Sequence, residues 1–298
     1  MGRYSVATVA DAEGTCAALI VDEQIHSLPG RPAMSDLLAD WEASVDRFEG
    51  HLSRGDLAPA GAVEQARLLA PVPRPPNLYM AGANYADHAR EMRRMSPEAD
   101  VPRAAEGPFM FLKPTSTVVG HREPVLIAPG CERVDWEVEL AAVIGRRAHR
   151  VGAEHALDHV AGYTVANDVS VRDRFIRVDA AEPPMKHDWF LQKGWATSCP
   201  LGPWLVPAPE VPGAHDTAMR LTVNGALEQE SRTSQMIFSL AEQIAFLSAV
   251  VPLVPGDVIC TGTCAGVGAG KGRFLAPGDV MVAEIEGIGR LENPVMQG

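Results

Sequence analysis

The stretch Asp135-Trp136-Glu137-Val138-Glu139-Leu140 constrains this chain more than any other. Side chains on a strand alternate between faces. Trp136, Val138 and Leu140 then share one face, and Glu137 and Glu139 stand side by side on the other. Two neighbouring carboxylates repel unless water, a proton or a cation lies between them. One reading is a strand with a wet, acidic face. The other is a divalent-cation site, because hard cations such as Mg²⁺ take carboxylate oxygens. That second reading requires at least one further acid from elsewhere in the chain.

With 298 residues the chain can bury a substantial core, as one large domain or two smaller ones. A net charge of −12 argues against nucleic acid as the main partner. No Lys or Arg run suggests an anionic membrane surface, and no segment is long and apolar enough to span a bilayer. Met1-Gly2-Arg3-Tyr4 lacks the apolar stretch of a signal peptide. The cysteines at 16, 131, 199, 260 and 264 are odd in number and scattered, without Cys-x-x-Cys. Free thiols in a cytoplasmic protein are the simplest account.

Along the chain, Ser5 to Ala10 and Cys16 to Val21 read as strands around an Asp-Ala-Glu-Gly turn. Met34, Leu37, Leu38, Trp41, Val45 and Phe48 fall at helical spacing. Prolines at 59, 71, 73, 75 and 76 then mark a domain boundary near residue 70. Asn84 is positioned to cap a helix after a short strand, Leu78 to Ala81. On that helix His88 and Glu91 are at i and i+3, sharing a face. A carboxylate there can orient the imidazole for base chemistry, or the two are a surface pair. Residues 93–108 are polar and punctuated by proline, which suggests a lid or a plain surface connection. Phe109 to Leu112 reads as a buried strand.

Further on, His155 and His159 are four apart but lack the glutamate of a zinc helix, so they read as a surface turn. Gly162 to Ala166 is a strand ending at Asn167-Asp168. Asp168 can either reach the Glu pair or cap a helix starting near Val169. Lys193 is flanked by Trp189, Phe190 and Trp195, as a snorkelling side chain or a buried cation. Pro200 to Val206 is a strand. Asn224-Gly225 signals a type I′ hairpin, and Ser234 caps a helix carrying Ile237, Leu240, Ile244 and Leu247. The run Thr261 to Gly272 fails the phosphate-loop pattern, with Ala265 and Gly272 at two defining positions. It can still bring backbone amides close to a small anion. Asp279 to Glu286 and Ile288 to Leu291 form a closing hairpin.

Taken together, these stretches resemble the fumarylacetoacetate hydrolase family. The matching pieces are Asn84-Tyr85-Ala86-Asp87-His88, Phe111-Leu112-Lys113-Pro114, Glu137-x-Glu139 and Gly162 through Ser170. Gly202-Pro203-Trp204, Asn224-Gly225, Gly256-Asp257-Val258-Ile259 and Thr261-Gly262-Thr263 follow. Each is weak alone, but they occur in family order from about residue 78 onward. Residues 1–70 resemble the small leading domain of some bacterial members.

The resemblance implies an α+β fold: a mixed β-sandwich or β-roll catalytic domain over 71–298 and a small N-terminal α+β domain over 1–70. It implies that Glu137, Glu139 and Asp168 hold Mg²⁺ or Mn²⁺, and that His88 and Glu91 activate water. Lys193 and Arg172 would face substrate oxygens, and Thr263 would bind a substrate carboxylate. The implied reaction is C–C hydrolysis of a β-diketo acid of acylpyruvate type through a metal-bound enolate. Alternatives are isomerisation of a 2-hydroxy-diene diacid, as in aromatic catabolism, and decarboxylation of a 2-oxo diacid. A homodimer is implied as well. Two positions depart from the family: Phe175 stands where a Gln is frequent, and Cys264 where Pro is usual.

Overall fold

The computed structural model describes residues 4–298; of the leading segment weighed as a signal peptide, Met1, Gly2 and Arg3 lie outside the described residues. The architecture is α+β, with sheets dominating and few helices. A twelve-stranded mixed sheet runs through Pro59–Ala62, Gln24–Ser27, Gly14–Val21, Ser5–Asp11, Cys199–Pro207, Val160–Asn167, Val138–Ile144, Val258–Thr263, Leu78–Gly82 and Phe109–Leu112, with Arg67–Leu69 added beside Ser5–Asp11 and Val118–Val119 beside Cys199–Pro207. A five-stranded sheet orders Ala226–Arg232, Ala218–Val223, Val280–Ile285, Gly289–Gln297 and Val125–Ile127. The hairpin at Asn224-Gly225 has positive φ at both residues (52° and 78°), as a type I′ turn requires.

The central strands are mostly apolar because both their faces are covered; Glu139, Thr164 and Asn167 are the polar exceptions. Every residue of Val138–Ile144 and of Val160–Asn167 is buried. Val138, Leu140, Ala142 and Ile144 pack toward the five-stranded sheet, against Leu221, Met281 and Leu291, and toward Ile244 of the helix Leu240–Val250. Ala141 and Val143 pack the opposite way, with Leu78 and Met80, against Leu19, Trp41 and Phe48 of the N-terminal segment. The sheet also runs across residue 70 without a break: Val6 pairs with Leu205, and the Thr8 hydroxyl donates to the Pro71 carbonyl.

Several local expectations are corrected. The first helical stretch divides at Asp40 into Met34–Ala39 and Trp41–Arg54, because the Asp40 carboxylate accepts the Ala43 amide and starts a new helix. The later helix begins at Leu240, where Ser239 and Glu242 form a capping box; Ser234 belongs to a short 3-10 turn. Phe109–Leu112 is an edge strand, not a buried one, with Phe109 54% and Leu112 63% exposed. Residues 94–108 carry no helix or strand. They are tied back by Arg90, which donates to the Ala99 carbonyl, and by Arg103, paired with Glu242 at 2.6 Å.

The topology gathers four chain segments at one end of the large sheet. Val138 lies opposite Asn167, and Glu139 opposite Thr263. Leu78–Gly82 runs parallel to Val258–Thr263, so both strands finish at that end. The residues just beyond these strand ends, or just before Val138, are therefore neighbours.

Candidate active site

Glu137, Glu139 and Asp168 converge at that end, with one carboxylate oxygen from each within 4.8 Å of the others. This is the sole such cluster among the described residues. The wet acidic face is not what forms. The strand begins at Val138, so Glu137 sits in the gap after the short strand Val134–Asp135. Glu137 and Glu139 are only 6% and 1% exposed. Asp168 caps no helix: a two-residue strand, Ser170–Val171, follows it.

Buried carboxylates need partners. The Lys193 ammonium bridges Glu137 Oε2 at 2.8 Å and Asp168 Oδ2 at 2.5 Å. Arg172 reaches Glu137 Oε1 at 2.5 Å and Asp135 Oδ2 at 2.8 Å. Burial opposes ionisation of Glu137, but the Lys193 and Arg172 charges outweigh it and hold its carboxyl at about 2. Burial likewise opposes the Lys193 charge, and Asp168 and Glu137 overcome it, raising its pKa. Glu139 differs. It accepts the Gly262 amide at 2.8 Å and forms no ion pair among the described residues. Burial, then Asp168 and Glu137, push its carboxyl well above the usual carboxylate range. A cation beside it would relieve that cost. Three buried, hard oxygen donors with one left uncompensated fit Mg²⁺ or Mn²⁺.

His88 and Glu91 lie on the helix Ala86–Arg93, which follows the strand Leu78–Gly82. Asn84 does not cap it. Its amide donates to the Phe238 and Thr261 carbonyls and accepts from the Phe238 amide, which pins the helix entry to the neighbouring strand. Asp87 adds a second tie through the Ser231 hydroxyl. His88 is buried, its Nδ1 lies 3.5 Å from Glu91 Oε2, and that nitrogen has no hydrogen-bond partner. The imidazole is near enough to the acid cluster to favour the Glu137 carboxylate. Burial would raise the Glu91 carboxyl, but His88, the Gly266 amide and Lys271 together lower it.

The glycine-rich run spends its amides on the protein's own acids. Gly262 donates to Glu139, Gly266 to Glu91, and Gly268 and Ala269 to Asp135 at 2.6 and 3.0 Å. One loop thus positions one acid of the carboxylate cluster, the partner of the imidazole and the acid that orients Arg172. At Gly266 φ is +99°, and a Cβ would collide with the Glu228 carbonyl, so the close approach requires glycine. Thr263 is brought beside Glu139, but its hydroxyl donates to the Val138 carbonyl and accepts from Gln229.

Two contributors draw no role from the sequence, although Lys113 lies in the stretch Phe111-Leu112-Lys113-Pro114 and Asp135 opens the stretch of the Glu pair. Lys113 is fully buried and donates to Asp168 Oδ1, Ser198 O and Val169 O at 2.6, 2.6 and 3.1 Å. Its signal is a lysine closing an apolar run just before a proline. Asp135 precedes the Glu pair, yet nothing in strand alternation shows that it grips Arg172.

Comparison with known proteins places this arrangement. A mitochondrial oxaloacetate tautomerase of Xenopus laevis is 42% identical over 257 residues, 86% of this chain and 73% of that protein. The crystal structure of a 5-carboxymethyl-2-hydroxymuconate delta-isomerase from Mycobacterium smegmatis matches with a TM-score of 0.76 at 30% identity, covering 99% of each chain. A maleylpyruvate hydrolase from Sphingobium sp. SYK-6, in complex with manganese(II) and pyruvate, matches with a TM-score of 0.76 at 27% identity, again over 99% of each chain. Residues 77–296 match the model of the fumarylacetoacetate (FAA) hydrolase C-terminal domain. The chain belongs to the fumarylacetoacetate hydrolase family, whose members are enzymes that include tautomerases, isomerases and hydrolases.

Proposed function

We propose that this chain is a divalent-metal-dependent enzyme that moves a proton to and from the carbon beside the keto group of a 2-oxo acid, as a tautomerase or isomerase does. The observation that carries this reading is one buried imidazole, its Nδ1 turned toward Glu91, beside a cluster of three carboxylates. Enolisation needs both parts: positive charge for the developing oxyanion, and a base that can take a carbon-bound proton and return it. Glu137, Glu139 and Asp168 would hold the cation. When bound, Mg²⁺ or Mn²⁺ would act as a Lewis acid on the 2-oxo acid and favour its enol form.

The chain's own residues supply the rest. Glu91 lies on the Nδ1 side of His88, which leaves Nε2 as the nitrogen that exchanges the proton. The Glu91 carboxylate then stabilises the imidazolium formed when His88 accepts it. The Lys193 ammonium, beside Glu137 and Asp168, offsets negative charge on the substrate oxygen. Arg172 fixes the Glu137 carboxylate in orientation. The oxaloacetate tautomerase likeness makes oxaloacetate a first substrate to try.

A second reading is hydrolysis of the C–C bond of an acylpyruvate. The His88–Glu91 pair supports it, because the same base can deprotonate water instead of carbon, and a maleylpyruvate hydrolase shares the fold. One experiment tests both. Mn²⁺-loaded protein is given enol-oxaloacetate, a 2-hydroxy-diene diacid and acetylpyruvate. Metal-dependent conversion of enol to keto, or migration of the diene double bond, supports the first reading. Cleavage of acetylpyruvate without faster enol conversion supports the second. No reaction with any of them overturns both.

A further inference from the structure

A wall of aromatic rings begins at the acid cluster and runs outward. The Lys193 ammonium lies 5.9 Å from the centroid of the Phe111 ring. Phe111 meets Trp189 at 5.0 Å, and Trp189 meets Phe109 and Phe175 at 5.1 Å each. Phe175 continues to His187 at 5.0 Å. The other end of the wall lies over Gly82, where a Cβ would come within 2.7 Å of Phe109 Cδ1 and 3.7 Å of the Trp189 ring. Gly82 ends the strand that leads into the helix of His88. The rings therefore span the interval between Lys193 and the segment that carries the base.

Phe111 packs partly against the core beneath it, but none of the four rings is fully buried. Phe109 is exposed, and Phe111, Phe175 and Trp189 are half-buried, next to an ionic cluster that is fully buried. The neighbouring cations are largely committed. Arg172 is held by Asp135 and Glu137, Arg174 donates to the Gly130 carbonyl, and Arg177 pairs with Asp188 at 3.5 Å. Lys186 and His187 remain exposed at the outer end. A second carboxylate laid along the wall would lose water against ring faces. A flat, conjugated group would gain offset or edge-to-face contacts there.

We infer that the wall formed by Phe109, Phe111, Phe175 and Trp189 is a subsite for an aryl or flat conjugated group, carried by the substrate beyond its 2-oxo acid end. This rests on the 2-oxo acid reading and narrows it: the two ionic oxygens of the substrate face the carboxylate–lysine cluster, and its tail stacks on the rings.

The test compares kcat/KM for phenylpyruvate and benzoylpyruvate with that for oxaloacetate and acetylpyruvate, on Mn²⁺-loaded wild type, Phe175→Gln and Trp189→Leu. The expected result is a preference for the aryl substrates of about tenfold or more. Each substitution should lower the aryl-to-acetyl ratio about three- to tenfold, the worth of one ring contact, mainly through KM. A wild type that prefers oxaloacetate, or a ratio that neither variant changes, overturns the subsite while leaving the 2-oxo acid reading intact. If the variants shift the dimer dissociation midpoint and not the ratio, the wall is an interface between copies and the inference is wrong. If the wild type handles none of the four acids, the reading beneath it fails, and the subsite with it.

Discussion

The Gly266 amide lies 3.1 Å from each carboxylate oxygen of Glu91. The same carboxylate is 3.5 Å from His88 Nδ1, so a backbone N–H and an imidazole share one acid. The loop that fixes Glu91 also holds Glu139 through Gly262, which ties the His88–Glu91 pair and the carboxylate cluster into one frame.

Gly266→Ala should disrupt that frame. The residue has φ of +99°, and its Cβ would collide with the Glu228 carbonyl. The loop must shift and take the amide away from Glu91. We expect turnover to fall by at least tenfold while Mn²⁺ binding by isothermal titration changes much less, since Glu139 keeps its Gly262 contact. Wild-type turnover in the variant would show that the Glu91 contact is dispensable.

Cation binding should stabilise the fold measurably. Burial and two neighbouring carboxylates hold Glu139 well above its usual range, and a bound cation would release its proton. At a cation concentration 100 times Kd, linkage predicts about 2.7 kcal/mol of added stability. Thermal melts with chelator, Mg²⁺ or Mn²⁺ should therefore separate by several degrees. Glu139→Gln removes one ligand and matches the neutral carboxyl that burial favours without a cation, so its chelated form should melt no lower than wild type, and the cation shift should vanish. An undiminished shift in Glu139→Gln would exclude this site.

Much of this was legible in the sequence, for reasons that differ by element. The central strands declared themselves by apolar runs, and the Asn224-Gly225 hairpin by turn chemistry that no other dipeptide satisfies as well. The three acids and His88 fell within family stretches, and Glu91 followed from its helical spacing to His88. What stayed hidden depends on contacts between residues far apart. Asn84 has the chemistry of a cap, but partners at 238 and 261 compete for it. The face of Glu137 could not follow from alternation, because the strand breaks before Val138. Exposure of Phe109 and Leu112 depends on their strand being last in the sheet, which local pattern does not encode.

A pH effect on stability should arise away from the site. Burial, then the Arg122 charge, lower the His121 imidazole from 6.5 to about 4, and its Nδ1 accepts the Glu292 amide. The unfolded chain thus binds a proton at this residue below pH 6.5 that the folded chain refuses until about pH 4. Stability contributed here is full above pH 6.5 and is lost as pH falls toward 4. His121→Asn keeps an acceptor for the Glu292 amide without the titration. Its denaturant midpoint should decline less steeply than wild type between pH 6.5 and 4; parallel curves would refute the assignment.

The edge strand Phe109–Leu112 gives a prediction about assembly. An open strand edge with apolar side chains invites pairing with a second chain. Leu112 is exposed on that edge strand, and Phe190 and Leu191 are exposed on the helix Trp189–Lys193. We expect a homodimer by light scattering. Leu112→Lys should shift it toward monomer, and an unchanged mass in that variant would mean that copies meet elsewhere or not at all.

The last prediction concerns what His88 does. In tautomerisation it moves a proton between carbon and the enol oxygen, delivering it to carbon in the enol-to-keto direction; in hydrolysis it takes one from water. Decarboxylation of oxaloacetate needs neither, because the departing carbon dioxide leaves its electrons in the enolate, and only the cation and Lys193 need answer that charge. His88→Ala should therefore lower enol conversion and any acylpyruvate cleavage by about 10²–10⁴-fold, the usual contribution of a general base. Any oxaloacetate decarboxylation should fall by no more than a few-fold. Asp168→Asn should impair all three, since it removes a metal-site carboxylate and the partner shared by Lys113 and Lys193. Glu91→Gln keeps the imidazole but removes the charge that stabilises its protonated form. It should be intermediate between wild type and His88→Ala, with the loss in kcat and not KM. Should His88→Ala convert enol-oxaloacetate at the wild-type rate, the proton must travel by another group, and the pairing of His88 with Glu91 would be structural. Should it reduce decarboxylation as severely as enol conversion, its role would lie in holding the site together.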